Sequence, residues 1–180
     1  PCTSSGNPVP ITSSASGSVA VTLQGAGSAN VSSEAIVISE FRLQGPLGGN
    51  DEFIEIYNAT SSPIDIGGYK LMGSNSAGVN SVRATVPGGR TIPAHGHYLF
   101  TNSGANGYSG AAAGDQTYGI GITPDGGIAI ARPDGIIVDA VGLSAGSAFK
   151  EGTPLVPLTT SDDRGYERLA GGFDGSAVDS

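Results

Sequence analysis

Thr123-Pro124-Asp125-Gly126-Gly127-Ile128-Ala129-Ile130-Ala131-Arg132-Pro133-Asp134-Gly135 carries the same Pro-Asp-Gly turn twice, with a short apolar run between the copies. Proline presets the dihedral angle of the second turn position, aspartate bonds back to its own chain, and glycine accepts left-handed geometry. Ile128-Ala129-Ile130 is too short for a stable helix and long enough for a strand. With Tyr118 to Ile122 before it and Ile136 to Val141 after it, the stretch predicts a three-stranded antiparallel meander.

The same alternation of short apolar runs and turns extends in both directions. Ala35 to Leu43 begins apolar on both faces, as a strand inside a packed sandwich does, and ends with Glu40 and Arg42 on one face. Gly45 to Asn50 is a turn-rich loop, Glu52 to Asn58 a strand, and Pro63 to Leu71 a strand broken at Gly67-Gly68. Ser74 to Val82 is polar and predicts a loop. The turn Pro93-Ala94-His95-Gly96 feeds a short strand, His97 to Phe100, and a loop of small residues runs from Asn102 to Gly114. About eight or nine short strands with frequent turns predict an all-β sandwich. The composition agrees: 30 glycines, 11 prolines and no tryptophan among 180 residues disfavour helices.

The first 33 residues hold no charge, while all 16 acids and all 8 bases lie from Glu34 onward. The expected organisation is therefore an uncharged N-terminal arm, 1–33, and a body, 34–180. Within the arm, residues 18–24 place Val19, Val21 and Leu23 on one face, between Gly17 and Gly25, as a single strand apart from the body. A net charge of −8 and a pI near 4.4 disfavour nucleic acid and anionic lipid as partners. No apolar run is long enough to cross a bilayer. A start at Pro1 without a signal peptide, and a Ser/Thr/Gly-rich, Lys-poor composition, fit a processed secreted or cell-surface product or a fragment of one. Cys2, the sole cysteine, cannot staple the body and is either inert or available to another chain.

The segments Ile38-Ser39-Glu40-Phe41, Asn50 to Asn58, Pro63 to Tyr69 and Thr91-Ile92-Pro93-Ala94 together resemble the lamin tail domain family. Asp125 to Ala129, Val138 to Gly142 and Gly165-Tyr166-Glu167-Arg168 look like its bacterial secreted branch. The resemblance spans residues 35 to about 170. It implies an immunoglobulin-like antiparallel β-sandwich with interaction or structural roles, and it carries over no catalytic residue. Bacterial members usually continue past the Tyr-Glu-Arg motif into a further strand, whereas this sequence stops at Ser180, and the arm lies outside the family pattern. A body short of its last strand would expose an unpaired edge or groove, for which strand 18–24 is the obvious partner.

Several motifs were weighed for chemistry. Gly142-Leu143-Ser144-Ala145-Gly146 matches the nucleophile-elbow pattern after a strand, but Gly152 and Pro154 prevent the required helix and both histidines precede the serine. His95 and His97 would share a face in an extended strand, yet no third metal ligand is near in sequence. Glu40, Asp51, Glu52 and Glu55, with Asn50, are calcium candidates should the strands of Glu40 and Glu55 be neighbours, as are Asp162, Asp163, Asp174 and Asp179. Asn30 and Asn58 head formal glycosylation triplets, and Tyr108 and Tyr118 are the aromatics available for stacking a sugar. The expectation is a non-enzyme without a resident cofactor, calcium being the one candidate. It assembles head-to-tail with itself into a filament or fibre, with Val19, Val21 and Leu23 filling pockets on a neighbour. The competing expectation is a monomeric interaction or adhesion module of a larger exoprotein.

Overall fold

The computed structural model describes residues 35–168. The arm, with its expected strand 18–24, lies outside them. Eleven strands follow in order: β1 (Ile36–Arg42), β2 (Phe53–Asn58), β3 (Ile64–Asp65), β4 (Lys70–Ser74), β5 (Asn80–Thr85), β6 (Thr91–Ile92), β7 (His97–Asn102), β8 (Gln116–Tyr118), β9 (Gly127–Ala131), β10 (Ile137–Gly142) and β11 (Tyr166–Glu167). They form a five-stranded sheet, β11-β1-β2-β7-β8, a four-stranded sheet, β10-β9-β4-β5, and a two-stranded ribbon, β3-β6. All pairings are antiparallel except β7 with β8.

The core lies between the two larger sheets. Ile54, Ile56 and Phe100 enter it from one, Leu71, Ile128 and Ile130 from the other, and Ile66 and Ile92 close it beside the ribbon. Alternation along each strand is what puts these side chains on one face. On the outer face of the four-stranded sheet, Phe149 packs on Ala129 and Ala140, so β9 is buried on both sides.

The structure revises two of the sequence expectations. The meander is only a hairpin: β9 pairs with β10, and the preceding strand, β8, joins the other sheet parallel to β7. The cause is Glu52, whose buried carboxylate accepts from the Tyr118 hydroxyl at 2.9 Å and the Ile122 backbone N–H at 2.8 Å, drawing 118–122 to the five-stranded sheet. The polar stretch 74–82 also contributes its last residues to β5, an edge strand whose first three residues are exposed. An edge strand facing water lacks the apolar pattern that marks a buried one.

The two Pro-Asp-Gly turns use glycine differently. Gly135 adopts a left-handed φ of 89°. Gly126 is held by close approach: a Cβ there would sit 2.1 Å from the Ser74 carbonyl oxygen, a backbone atom that cannot step aside. Gly126→Ala should therefore destabilise the body by about 1–3 kcal/mol, the usual cost of overpacking. Urea unfolding measures this, and an unchanged midpoint would contradict the contact.

Candidate functional site

Between the outermost strands on one side of the sandwich lies a cavity of about 310 Å³. One wall is β1 with β11, the other is β10. Its apolar lining comes from Ile38 and Phe41 on β1, Val141 on β10, Leu155, and Tyr166 on β11. Glu151 and Glu167 also line it.

Three contacts shape this cleft. At one end the buried Asp139 carboxylate accepts from the Ile38 backbone N–H of the opposite sheet at 2.5 Å and from Arg168 at 2.7 Å. Arg168 also donates to the Ile38 carbonyl at 3.0 Å, so both backbone polar groups of Ile38 are engaged. At the other end the Leu155 N–H donates to the Gly142 carbonyl at 2.9 Å, laying the 151–158 segment against β10. Along the wall the Tyr166 ring stacks on Phe41 with centroids 4.7 Å apart, and its hydroxyl donates to the Val156 carbonyl at 2.8 Å. The Gly165-Tyr166-Glu167-Arg168 motif thus builds a short strand that closes much of the edge expected to be bare. What remains open is a pocketed cleft.

The acidic residues proposed for calcium are partly brought together. Glu40 does lie opposite Glu55, with Glu167 on its other side, so three carboxylates sit abreast on β11, β1 and β2. Burial, then repulsion from Glu55 and Glu167, pushes the Glu40 carboxyl above its usual range. Glu55 accepts from the Ser39 hydroxyl at 2.7 Å and lies 2.8 Å from His97 Nδ1. Asp51 and Glu52 go elsewhere. Asp51 forms a buried pair with Arg42 and accepts from the Ser109 N–H and hydroxyl, pinning the 102–114 loop. Burial raises its carboxyl, but Ser109, the Leu47 N–H and Arg42 outweigh this and hold it below the ordinary value. Glu52 serves the core, and burial pushes its carboxyl up despite hydrogen bonds from Asn102, Ile122 and Tyr118. Among the described residues no group of three or more His, Cys, Asp or Glu is placed to hold a metal ion.

The other sequence candidates separate. His95 sits in the turn with a φ of 53°, outside any strand, and its Nδ1 lies 3.0 Å from the Tyr57 hydroxyl, so it does not share a strand face with His97. The Ser144 hydroxyl is buried without a hydrogen-bond partner, whereas the two histidines contact Tyr57 and Glu55. Asn58 is fully buried, its amide donating to the Ser62, Ile92 and Pro93 carbonyls; the triplet at 58–60 is a structural corner. Tyr118 is buried on Glu52, and Tyr108 stands edge-on to Phe53. Asp162 pairs with Arg164, and Asp163 with Arg42. Val19, Val21, Leu23, Cys2, Asn30, Asp174 and Asp179 lie outside the described residues. Sequence reasoning missed Val141, Leu155 and Glu151; the apolar pair Leu155-Val156 between two prolines was the available signal, and both are exposed.

A sandwich of antiparallel sheets, with no helix among the described residues and an apolar cleft in place of a catalytic cluster, defines an immunoglobulin-like β domain. The family model Lamin Tail Domain matches residues 29–145, and the chain belongs to that family, whose fold is a non-catalytic domain. Comparison with curated proteins finds no match. No helix among the described residues is long and apolar enough to cross a membrane.

Two carboxylates give opposite pH signatures. The raised Glu40 costs stability at neutral pH and releases that cost as pH falls through its folded value, so Glu40→Gln should raise the melting temperature at pH 7 with the gain gone below 4.5. The depressed Asp51 contributes stability above 3.8 and loses it on acidification. Asp51→Ala, which leaves Arg42 buried and uncompensated, should cost about 3–5 kcal/mol at neutral pH and less in acid. Calorimetry across pH 3–8 with parallel curves for variant and parent would contradict both assignments.

Proposed function

We propose that this chain is an extracellular structural subunit of the bacterial secreted branch, assembled head-to-tail into a filament or fibre by donating strand 18–24 to a neighbouring copy. The observation that carries the reading is the unfilled apolar cleft between the outermost strands β10 and β11. An added strand supplies main-chain hydrogen bonds to a sheet edge, and alternate side chains fill pockets. Val19, Val21 and Leu23 have that spacing, and the arm is uncharged where the body carries every acid. Donation from one copy to the next is heterologous, so a rotation that does not close gives an open helical polymer. The fold alone is compatible with many functions.

A monomeric interaction module is the second reading. It is favoured by one observation, the engagement of Ile38 by Asp139 and Arg168, which leaves less of the β1 edge to pair. The two readings separate on a single substitution. Val21→Asp places a charge among the pocket-filling residues and should abolish polymer in electron micrographs while leaving circular dichroism and the melting temperature of the body unchanged. Normal filaments from that variant would refute strand donation.

A further inference from the structure

Two places on the body offer an added strand something to pair with. One is β5, six residues long, which among the described residues pairs with β4 alone and bears the exposed Val82. The other is the cleft between β10 and β11. β5 offers backbone but no pocket. The cleft offers about 310 Å³ of cavity, more than the roughly 150 Å³ that accommodates a benzene ring in a dry engineered cavity.

We infer that the cleft, and not β5, is the acceptor, and that its occupant is strand 18–24 of a second copy, with Val21 central in the cavity over Phe41 and Val141 and flanked by Val19 and Leu23. This inference rests on the strand-donation reading and adds the address. Three features support it. The lining from Ile38, Phe41, Val141, Leu155 and Tyr166 is apolar and matches aliphatic side chains. Glu151 and Glu167 in the same lining would repel a donor carrying carboxylates, and the arm has none. Leu155 in the wall is still 42% exposed, an apolar surface that a donor strand would cover.

The ends of the cleft set how the donor lies. Asp139 and Arg168 occupy the backbone of Ile38, and Leu155 occupies the carbonyl of Gly142, so the donor's hydrogen bonds are confined to the stretch between. Affinity then depends more on the inserted side chains than on a long ladder. Residues 25–35 link the donor strand to β1, and eleven extended residues reach about 36 Å. That length permits a neighbour's cleft and also the chain's own, which the test must separate.

The test is disulfide trapping in the full chain, with Cys2→Ser removing the native thiol. Val21→Cys is combined with Leu155→Cys in one sample and with Val82→Cys, on β5, in another; both partner positions are exposed and tolerate substitution. Under mild oxidation the first pair should give a ladder of covalent oligomers on a non-reducing gel, at least tenfold more abundant than from the second. A ladder from the Val82 pair alone would overturn the cleft as acceptor and leave strand donation standing. A fast-migrating cross-linked monomer from the first pair would place the strand in its own cleft and overturn the second copy as occupant. Filaments in the micrographs with neither pair trapped would overturn the acceptor, and monomers with neither trapped would overturn donation as well.

Discussion

The Asp139 carboxylate ties the two sheets to each other. It stands on β10, almost wholly buried, and takes the backbone N–H of Ile38 on β1 together with the guanidinium of Arg168. A buried charge left unpaired is expensive, so the three groups hold one another in place. Arg168 in turn fixes β11, and β11 brings Tyr166 onto Phe41. The cleft exists because this cross-link joins the sheets at one end while the 151–158 segment joins them at the other.

Much of the fold was legible because strands and turns have local chemistry. The Pro-Asp-Gly turns, the alternation of β2 and the double-sided apolar run of β1 all appear as the sequence predicts. The misplacement of β8 has a non-local cause. Glu52 in the core binds partners 66 and 70 residues away, and no window of sequence announces that a carboxylate will be buried there. β5 escaped for the opposite reason, being an edge whose exposed residues carry little apolar signal.

The site was legible only in outline. The pairing of Glu40 with Glu55 followed from strand order, but Asp51 and Glu52 look like their acidic neighbours in sequence and are structural ties in the fold. Asn58 likewise has the pattern of a modification site and the position of a corner post. The cleft itself is assembled from β1, β10, β11 and the 151–155 segment, which are remote in the chain and meet only through the Asp139 and Leu155 contacts. The sheet edges differ in how they avoid unwanted pairing: β11 and β8 are short, and β5 carries a bulge. Against these defences a neutral, alternating strand with pocket-filling side chains is the kind of partner the cleft would select.

The most direct measurement is electron microscopy with sizing chromatography on the intact chain beside a chain lacking residues 1–33. The account predicts filaments from the first and folded, soluble monomers from the second. Monomers from both, with no change in hydrodynamic size on concentration, would contradict it and leave the sandwich a free-standing interaction domain.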